Sequence, residues 1–268
     1  MSVSPGLRKT PPLIEYKNMT LVRNGRKVLD GINLSIASGE HVAILGPNGA
    51  GKSSLIKTIT RELHPIAEDA GSYLRVLGKE LWNVTELRNQ LGIVSPEAGR
   101  SSFGSFTCRE VVLSGFFASA GIWPIHEVTT EMEEKAKAVM KLLGIHRLRD
   151  ASVNEVSTGE SRLVTIGRAL VNNPKTMLLD EPTSSLDMQA SRKLRRTLRR
   201  IAADGKGIVM ITHNLSDIIP EIKRVVLIRN GRVVQDGQKE KLLTEETLSA
   251  LFGVKLELAR RGGYYYCW

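Results

Sequence analysis

The chain has 268 residues, 41 % of them hydrophobic and 25 % charged, which excludes a largely disordered, collagen-like or disulfide-built protein. Its only cysteines, Cys108 and Cys267, imply no bridge framework and favour a reducing compartment. A net charge of +10 permits an anionic partner without naming one.

Residues Met1 to Pro12 lack the apolar core of a leader. The longest uncharged stretch, Val111 to Ile125, is broken by Ser114, Gly115, Gly121 and Pro124. It falls short of the ~20 apolar residues of a spanning helix. Any membrane role is therefore expected to come through a partner.

The first third reads as short strands: Met19–Arg23, Val28–Ile36 and His41–Leu45, separated by Asn24-Gly25 and Gly39-Glu40. Asn-Gly between apolar runs is a hairpin signal. The run His41–Leu45 suits a buried parallel strand, followed by a helix over Gly51–Thr60. From about Pro96 to Val156 helical signals take over. Met132, Ala136, Val139, Met140 and Leu143 recur at helical spacing within Thr130–Leu143. Alternation then returns, with strand Thr176–Asp180, helix Ser191–Ala203 and strand Gly207–Thr212. A hairpin closes the run, Val225–Arg229 with Arg232–Gln235 around Asn230-Gly231. Such alternation predicts an α/β fold with a parallel core sheet. To it belong an N-terminal antiparallel β subdomain and an inserted helical subdomain. We expect one domain over residues 1–268: a core of 13–95 and 157–240, helices over 96–156, and an extension over 241–268.

The segment Gly46-Pro47-Asn48-Gly49-Ala50-Gly51-Lys52-Ser53-Ser54 matches the phosphate-binding loop G-x-x-x-x-G-K-[ST]. Its glycines let successive backbone N–H groups turn toward phosphates. Lys52 brings a charge to the β- and γ-phosphates, the Ser53 hydroxyl can ligate Mg²⁺, and the following helix adds its positive end. The run Thr176–Asp180 then delivers a carboxylate to a strand end. Asp180 can hold Mg²⁺ through water, and Glu181 can orient and deprotonate an attacking water.

Val156-Ser157-Thr158-Gly159-Glu160, with Arg168-Ala169-Leu170 beyond it, resembles the signature segment of ABC-type ATPases, usually Leu-Ser-Gly-Gly-Gln. Pro182-Thr183-Ser184-Ser185-Leu186-Asp187 resembles their D-loop, and Ile211-Thr212-His213 their switch histidine. The likeness covers about Leu13 to Gly237. Finer likeness in Val94-Ser95-Pro96-Glu97, in Val112-Leu113-Ser114-Gly115-Phe116-Phe117 and in Leu251-Phe252-Gly253 points to molybdate-type transport ATPases.

The resemblance implies a head-to-tail homodimer with each ATP between one phosphate loop and the partner's signature segment. Ser157 and the Gly159 N–H would then reach the γ-phosphate in trans. Glu181 would be the base, with His213 beside the γ-phosphate and the attacking water. It also implies the ATP-hydrolysing subunit of a membrane transporter, cytoplasmic and peripheral at the inner face of the membrane, with a separate permease. Phe106, Phe116, Phe117, Ile122 and Trp123 would lie where the permease docks, or simply pack the core. A soluble ATPase acting on nucleic acid or ribosomes is the alternative. Such proteins commonly carry two ATPase domains or a long coiled coil, for which this chain has no room, so a nucleic-acid partner is not expected. A low-turnover regulatory switch is a third reading.

Three departures stand out. The family's Mg²⁺-contacting glutamine falls at Pro96, with Glu97 as a substitute if the loop shifts. The adenine-stacking aromatic falls near Arg23, whose guanidinium can also stack; Tyr16 serves only if the alignment slips. Thr158 and Glu160 replace the signature's first glycine and its glutamine, and Glu160 needs a cation such as Arg162 beside it. Separately, Arg192, Lys193, Arg195, Arg196, Arg199 and Arg200 crowd one helix whose buried stripe is Leu194, Leu198 and Ile201. They read as a solvated face or as a surface for an anionic partner.

Overall fold

The structure, a computed structural model, describes residues 11–67, 69, 71–96 and 102–268. Strands β1 (Ile14–Arg23) and β2 (Arg26–Ile36) form an antiparallel hairpin. Its turn, Asn24-Gly25, has both residues at positive φ, 49° and 72°, as a two-residue turn matching the strand twist requires. After β3 (His41–Leu45) and helix α1 (Lys52–Ile59), the strands β4 (Ile66–Ala67) and β5 (Tyr73–Val76) add antiparallel to β1. Helix α2 (Val84–Gln90) leads into β6 (Leu91–Val94).

The helical middle consists of α3 (Cys108–Leu113), a 3-10 turn at Ser114–Phe117, α4 (Thr130–Leu142) and a 3-10 turn at His146–Leu148. Thr107 and Glu110 form a capping box that starts α3. Phe106 meets Trp123 edge to face at 5.3 Å, and Phe117 stacks on His126 at 4.3 Å. Phe106, Phe116 and Ile122 pack against the core, whereas Trp123 is half exposed. Next come α5 (Thr158–Leu170), β7 (Thr176–Asp180), α6 (Met188–Ala203) and β8 (Gly207–Thr212). Beyond a 3-10 turn at Leu215–Asp217 follow β9 (Arg224–Arg229), β10 (Arg232–Gln238), α7 (Lys239–Leu242), α8 (Glu245–Phe252), β11 (Leu258–Arg261) and β12 (Tyr264–Cys267).

The central sheet has the order β10-β9-β3-β8-β7-β6. Five strands are parallel; β10 pairs antiparallel with β9 and forms one edge. Both faces are covered, so the strands read as unbroken apolar runs. Met177, Leu179, Ile208 and Met210 face a core shared with α3, α5 and α6. Leu178, Val209 and Ile211 face the other core, shared with α1 and the β1–β2 hairpin. Residues 241–268 carry α8 and the β11–β12 hairpin, whose Tyr265 is buried. No helix among the described residues is long and apolar enough to cross a membrane.

Candidate functional site

In an open α/β sheet, ligands gather beyond the carboxyl ends of the strands. Here β3, β8 and β7 are neighbours and parallel, with Leu45 opposite Thr212 and Asp180 opposite Ile211. The carboxyl end of these strands therefore receives the Gly46–Ser54 loop, the Asp180-Glu181 pair and His213.

The loop has no room for larger residues at two points. A Cβ on Gly46 would stand 2.1 Å from the Ile228 carbonyl oxygen, and one on Gly51 2.7 Å from that of Val28, with Gly51 at φ 100°. The Asn230-Gly231 turn braces the loop from outside. Gly231 N–H donates to the Ala50 carbonyl at 3.0 Å. Lys52 is buried and folds back over the loop, its Nζ donating to the carbonyls of Gly46 at 2.8 Å and Pro47 at 2.9 Å. Burial pushes the Lys52 ammonium below its ordinary range, while the charges of Glu181 and Asp180 pull the other way. Ser53 stands exposed in the first turn of α1, and Ser54 follows it half-buried. Asn48 and Gly49 are exposed at the loop tip, and Pro47 is half-buried.

Asp180 is buried at the end of β7. Glu181, one residue on, adopts φ 44°, a region non-glycine residues seldom occupy and often a mark of a functional site. Its N–H donates to the Ile211 carbonyl at 2.8 Å. Its Oε1 lies 2.9 Å from Nδ1 of His213. The strands thus bring the two expected catalytic residues together.

Ser157 and Gly159 lie at the start of α5. The Ser157 hydroxyl and N–H both meet Glu160 Oε2, at 2.8 and 3.0 Å, forming a capping box. A Cβ on Gly159 would come within 2.7 Å of the Ala190 Cβ on α6. These contacts join the signature segment to its own helix and to α6.

Several expectations are corrected. Glu160 pairs with Arg147, not Arg162. Residues two apart on a helix do not face each other, so Arg162 points inward and donates to the Ser95 carbonyl at 3.4 Å. Burial opposes ionisation of Glu160, but the Ser157 N–H and hydroxyl and the Arg147 guanidinium together hold its carboxyl below its usual range. Tyr16 cannot stack on a base. It is buried, its hydroxyl 3.0 Å from the Leu55 carbonyl and 2.7 Å from Thr58 Oγ1. Arg23 is exposed at the end of β1, opposite Arg26. Pro96 is exposed just past β6, and Glu97 lies outside the described residues. On α6, Arg195 turns inward to Ser216, 3.1 Å away, and Arg199 pairs with Glu221 at 2.7 Å. Arg192, Lys193, Arg196 and Arg200 remain on the exposed face.

The sequence reading paired Arg162 with Glu160, whereas its charge lies near Asp180, and it did not single out Asp217, buried four residues past His213. Neither carries a spacing signal, because each reaches its partners only through the packing of separate elements.

The family model described as ABC transporter matches residues 29–184. The chain belongs to the ABC transporter ATP-binding family. It is 31 % identical to the hemin import ATP-binding protein HmuV of Escherichia coli O157:H7 over 257 residues, covering 92 % of this chain and 95 % of HmuV. It superposes on cbiO1 from Clostridium perfringens, part of the ABC transporter complex cbiONQ, with a TM-score of 0.73 and 25 % identity, covering 90 % and 94 % of the two chains. The dimeric post-hydrolysis cassette MJ0796 bound to ADP and Pi matches with a TM-score of 0.68 and 26 % identity, covering 84 % and 98 %. The protein is accordingly an ABC ATPase, the ATP-binding and ATP-hydrolysing subunit of a transporter. The expected molybdate-type specificity gains no support, since a cargo named among these relatives is hemin.

Proposed function

We propose that this ABC ATPase works as a head-to-tail homodimer docked on a separate membrane permease, peripheral at the inner face of the membrane. The observation that carries the reading is the Glu181–His213 contact at the strand ends that also hold the Gly46–Ser54 loop. In this reading the loop amides and Lys52 bind the β- and γ-phosphates, and Arg23 stacks on the adenine. Glu181 takes a proton from the attacking water, and His213 holds Glu181 and the γ-phosphate side of that water. Ser157 and Gly159 close the site from the partner subunit. Met188, 90 % exposed just past the D-loop, supplies apolar surface for such a partner.

Mg²⁺ fits the donor set. The Ser53 hydroxyl and the buried Asp180 carboxylate are hard oxygen ligands, and Mg²⁺ is commonly held by one or two such groups plus substrate phosphates. When bound it would neutralise charge developing on the transferred phosphoryl group. We assign the permease contact to the helical unit of residues 96–156, where Trp123 and Ile125 are exposed. Import is favoured by the HmuV relatives. The test is a dilution series with Mg·ATP, because trans contacts require turnover per molecule to rise with protein concentration. A flat rate in a protein that stays monomeric sinks the dimer reading.

A further inference from the structure

The 3-10 turn Leu215–Asp217 carries a carboxylate for which hydrolysis, as set out above, has no use. Asp217 is 2 % exposed. Its Oδ2 accepts two hydrogen bonds, from Thr183 Oγ1 at 2.6 Å and from Thr212 Oγ1 at 3.0 Å. Thr183 stands two residues past Glu181, in a turn closed by the Ser184 N–H on the Glu181 carbonyl at 3.0 Å. Thr212 is the last residue of β8 and immediately precedes His213. A single carboxylate oxygen therefore holds the chain on both sides of the Glu181–His213 contact.

The other oxygen, Oδ1, has no hydrogen-bond partner. It lies 3.8 Å from Arg195 Nη1, which reaches in from α6. Burial pushes the Asp217 carboxyl above its usual range, while the two hydroxyls and Arg195 oppose the shift. Burying such a group is costly without full pairing, so it earns no place here as a stabiliser. The turn is also backed from outside. Strand β12 packs against it, and the Tyr264 ring lies 5.8 Å from the Arg195 guanidinium. Glu181 meanwhile holds a backbone conformation that its surroundings must enforce.

We propose that Asp217 is a positioning residue for hydrolysis, setting the Glu181–His213 geometry by tying Thr183 and Thr212 to one oxygen. This rests on the reading that Glu181 and His213 act on the attacking water. A misplacement of about 1 Å costs up to ~10²-fold in rate, so a loosened tie lowers kcat and spares ATP binding, which belongs to the Lys52 loop.

The experiment compares Asp217→Ala, Asp217→Asn, Thr183→Val and Glu181→Gln in the full chain, measuring ATPase kcat and KM together with the melting temperature. Asp217→Ala is expected to lower kcat about tenfold or more, with KM within about threefold. Asn offers a carbonyl oxygen that can take both hydroxyls, so Asp217→Asn should recover much of the loss. Thr183→Val removes one donor at constant shape and should lower kcat severalfold. A merely structural Asp217 would shift the melting temperature and leave the kcat of the folded protein within twofold of wild type. That result, beside a Glu181→Gln variant that has lost turnover, overturns the positioning role and leaves the dyad reading intact. Equal losses in the Asn and Ala variants overturn it too, because the charge and not the tie would then matter. If Asp217→Ala does not fold, Thr183→Val decides, and an unchanged kcat refutes the proposal. Near-normal turnover in Glu181→Gln removes the dyad reading and this inference with it.

Discussion

Glu181 and His213 meet at 2.9 Å across the ends of two neighbouring parallel strands. The register of β7 on β8, with Asp180 opposite Ile211, brings Glu181, one residue past Asp180, and His213, two residues past Ile211, to the same end of the sheet. The bond from Glu181 N–H to the Ile211 carbonyl carries the ladder one step further. Backbone pairing thus brings the two residues to one place, and their side chains make the contact.

Removing the proposed base and keeping its shape is the sharpest test of this pair. Glu181→Gln is expected to lower turnover ~10²–10⁴-fold, the usual worth of general-base catalysis. Affinity for ATP should hardly change. With hydrolysis lost and the nucleotide retained, size-exclusion chromatography in Mg·ATP should show the variant as a dimer. Slow turnover without a dimer would favour a regulatory switch.

Lys52 offers a test of binding alone. Charge-assisted hydrogen bonds to phosphate are worth ~1.5–3 kcal/mol each. Lys52→Ala should therefore lower nucleotide affinity at least about tenfold by calorimetry. Unchanged affinity would remove the loop from the site.

The capping box predicts a pH dependence. The folded pKa of Glu160 lies below its ordinary value, so the ionised carboxylate contributes stability above about pH 4.5, the model-compound value. That contribution is lost as pH falls through the depressed folded pKa. Wild type should melt above Glu160→Gln at neutral pH, and the gap should close in acid. Arg147 is two-thirds exposed, so its share should shrink with salt. A gap that widens on acidification contradicts the assignment.

The two thiols should differ in reactivity. Cys108 is buried, its pKa raised to about 11, chiefly by burial. Cys267 is exposed in β12. A thiol reagent at pH 8 should modify one cysteine per native chain and two after denaturation. Rapid loss of both in the native protein would mean that α3 opens readily.

Four cations remain on the open face of α6, and they provide a test against the nucleic-acid alternative. Changing Arg192, Lys193, Arg196 and Arg200 to Ser should reduce any weak binding of DNA or RNA and flatten its salt dependence. ATP turnover should respond to nucleic acid in neither protein. Strong stimulation in wild type that disappears in the variant would reverse the transporter reading.

Much of the fold was legible in the sequence because its signals are local. Thr176–Asp180 and Gly207–Thr212 are short apolar runs between turns, and both are strands at those bounds. Asn24-Gly25 and Asn230-Gly231 need positive φ and have it. The loop around Lys52 is a contiguous motif, so its residues could be named before the chain was folded. Asp180 and Glu181 could be singled out as candidates because they close a readable strand.

What folding decided lies between elements remote in sequence. Only the strand order places His213 beside Glu181, 32 residues away. Only helix phase shows that Arg162 points away from Glu160 and that a separate turn supplies Arg147. Six cations on one helix looked equivalent by composition, yet the packing of α6 on the turn after β8 draws Arg195 inward to Ser216. Asp217 carried no local signal, because a carboxylate after a strand is ordinarily solvated. Its burial and its two threonine partners exist only once β7, β8 and α6 have packed together. Local chemistry is written in neighbouring residues; pairing and burial are properties of the assembled chain.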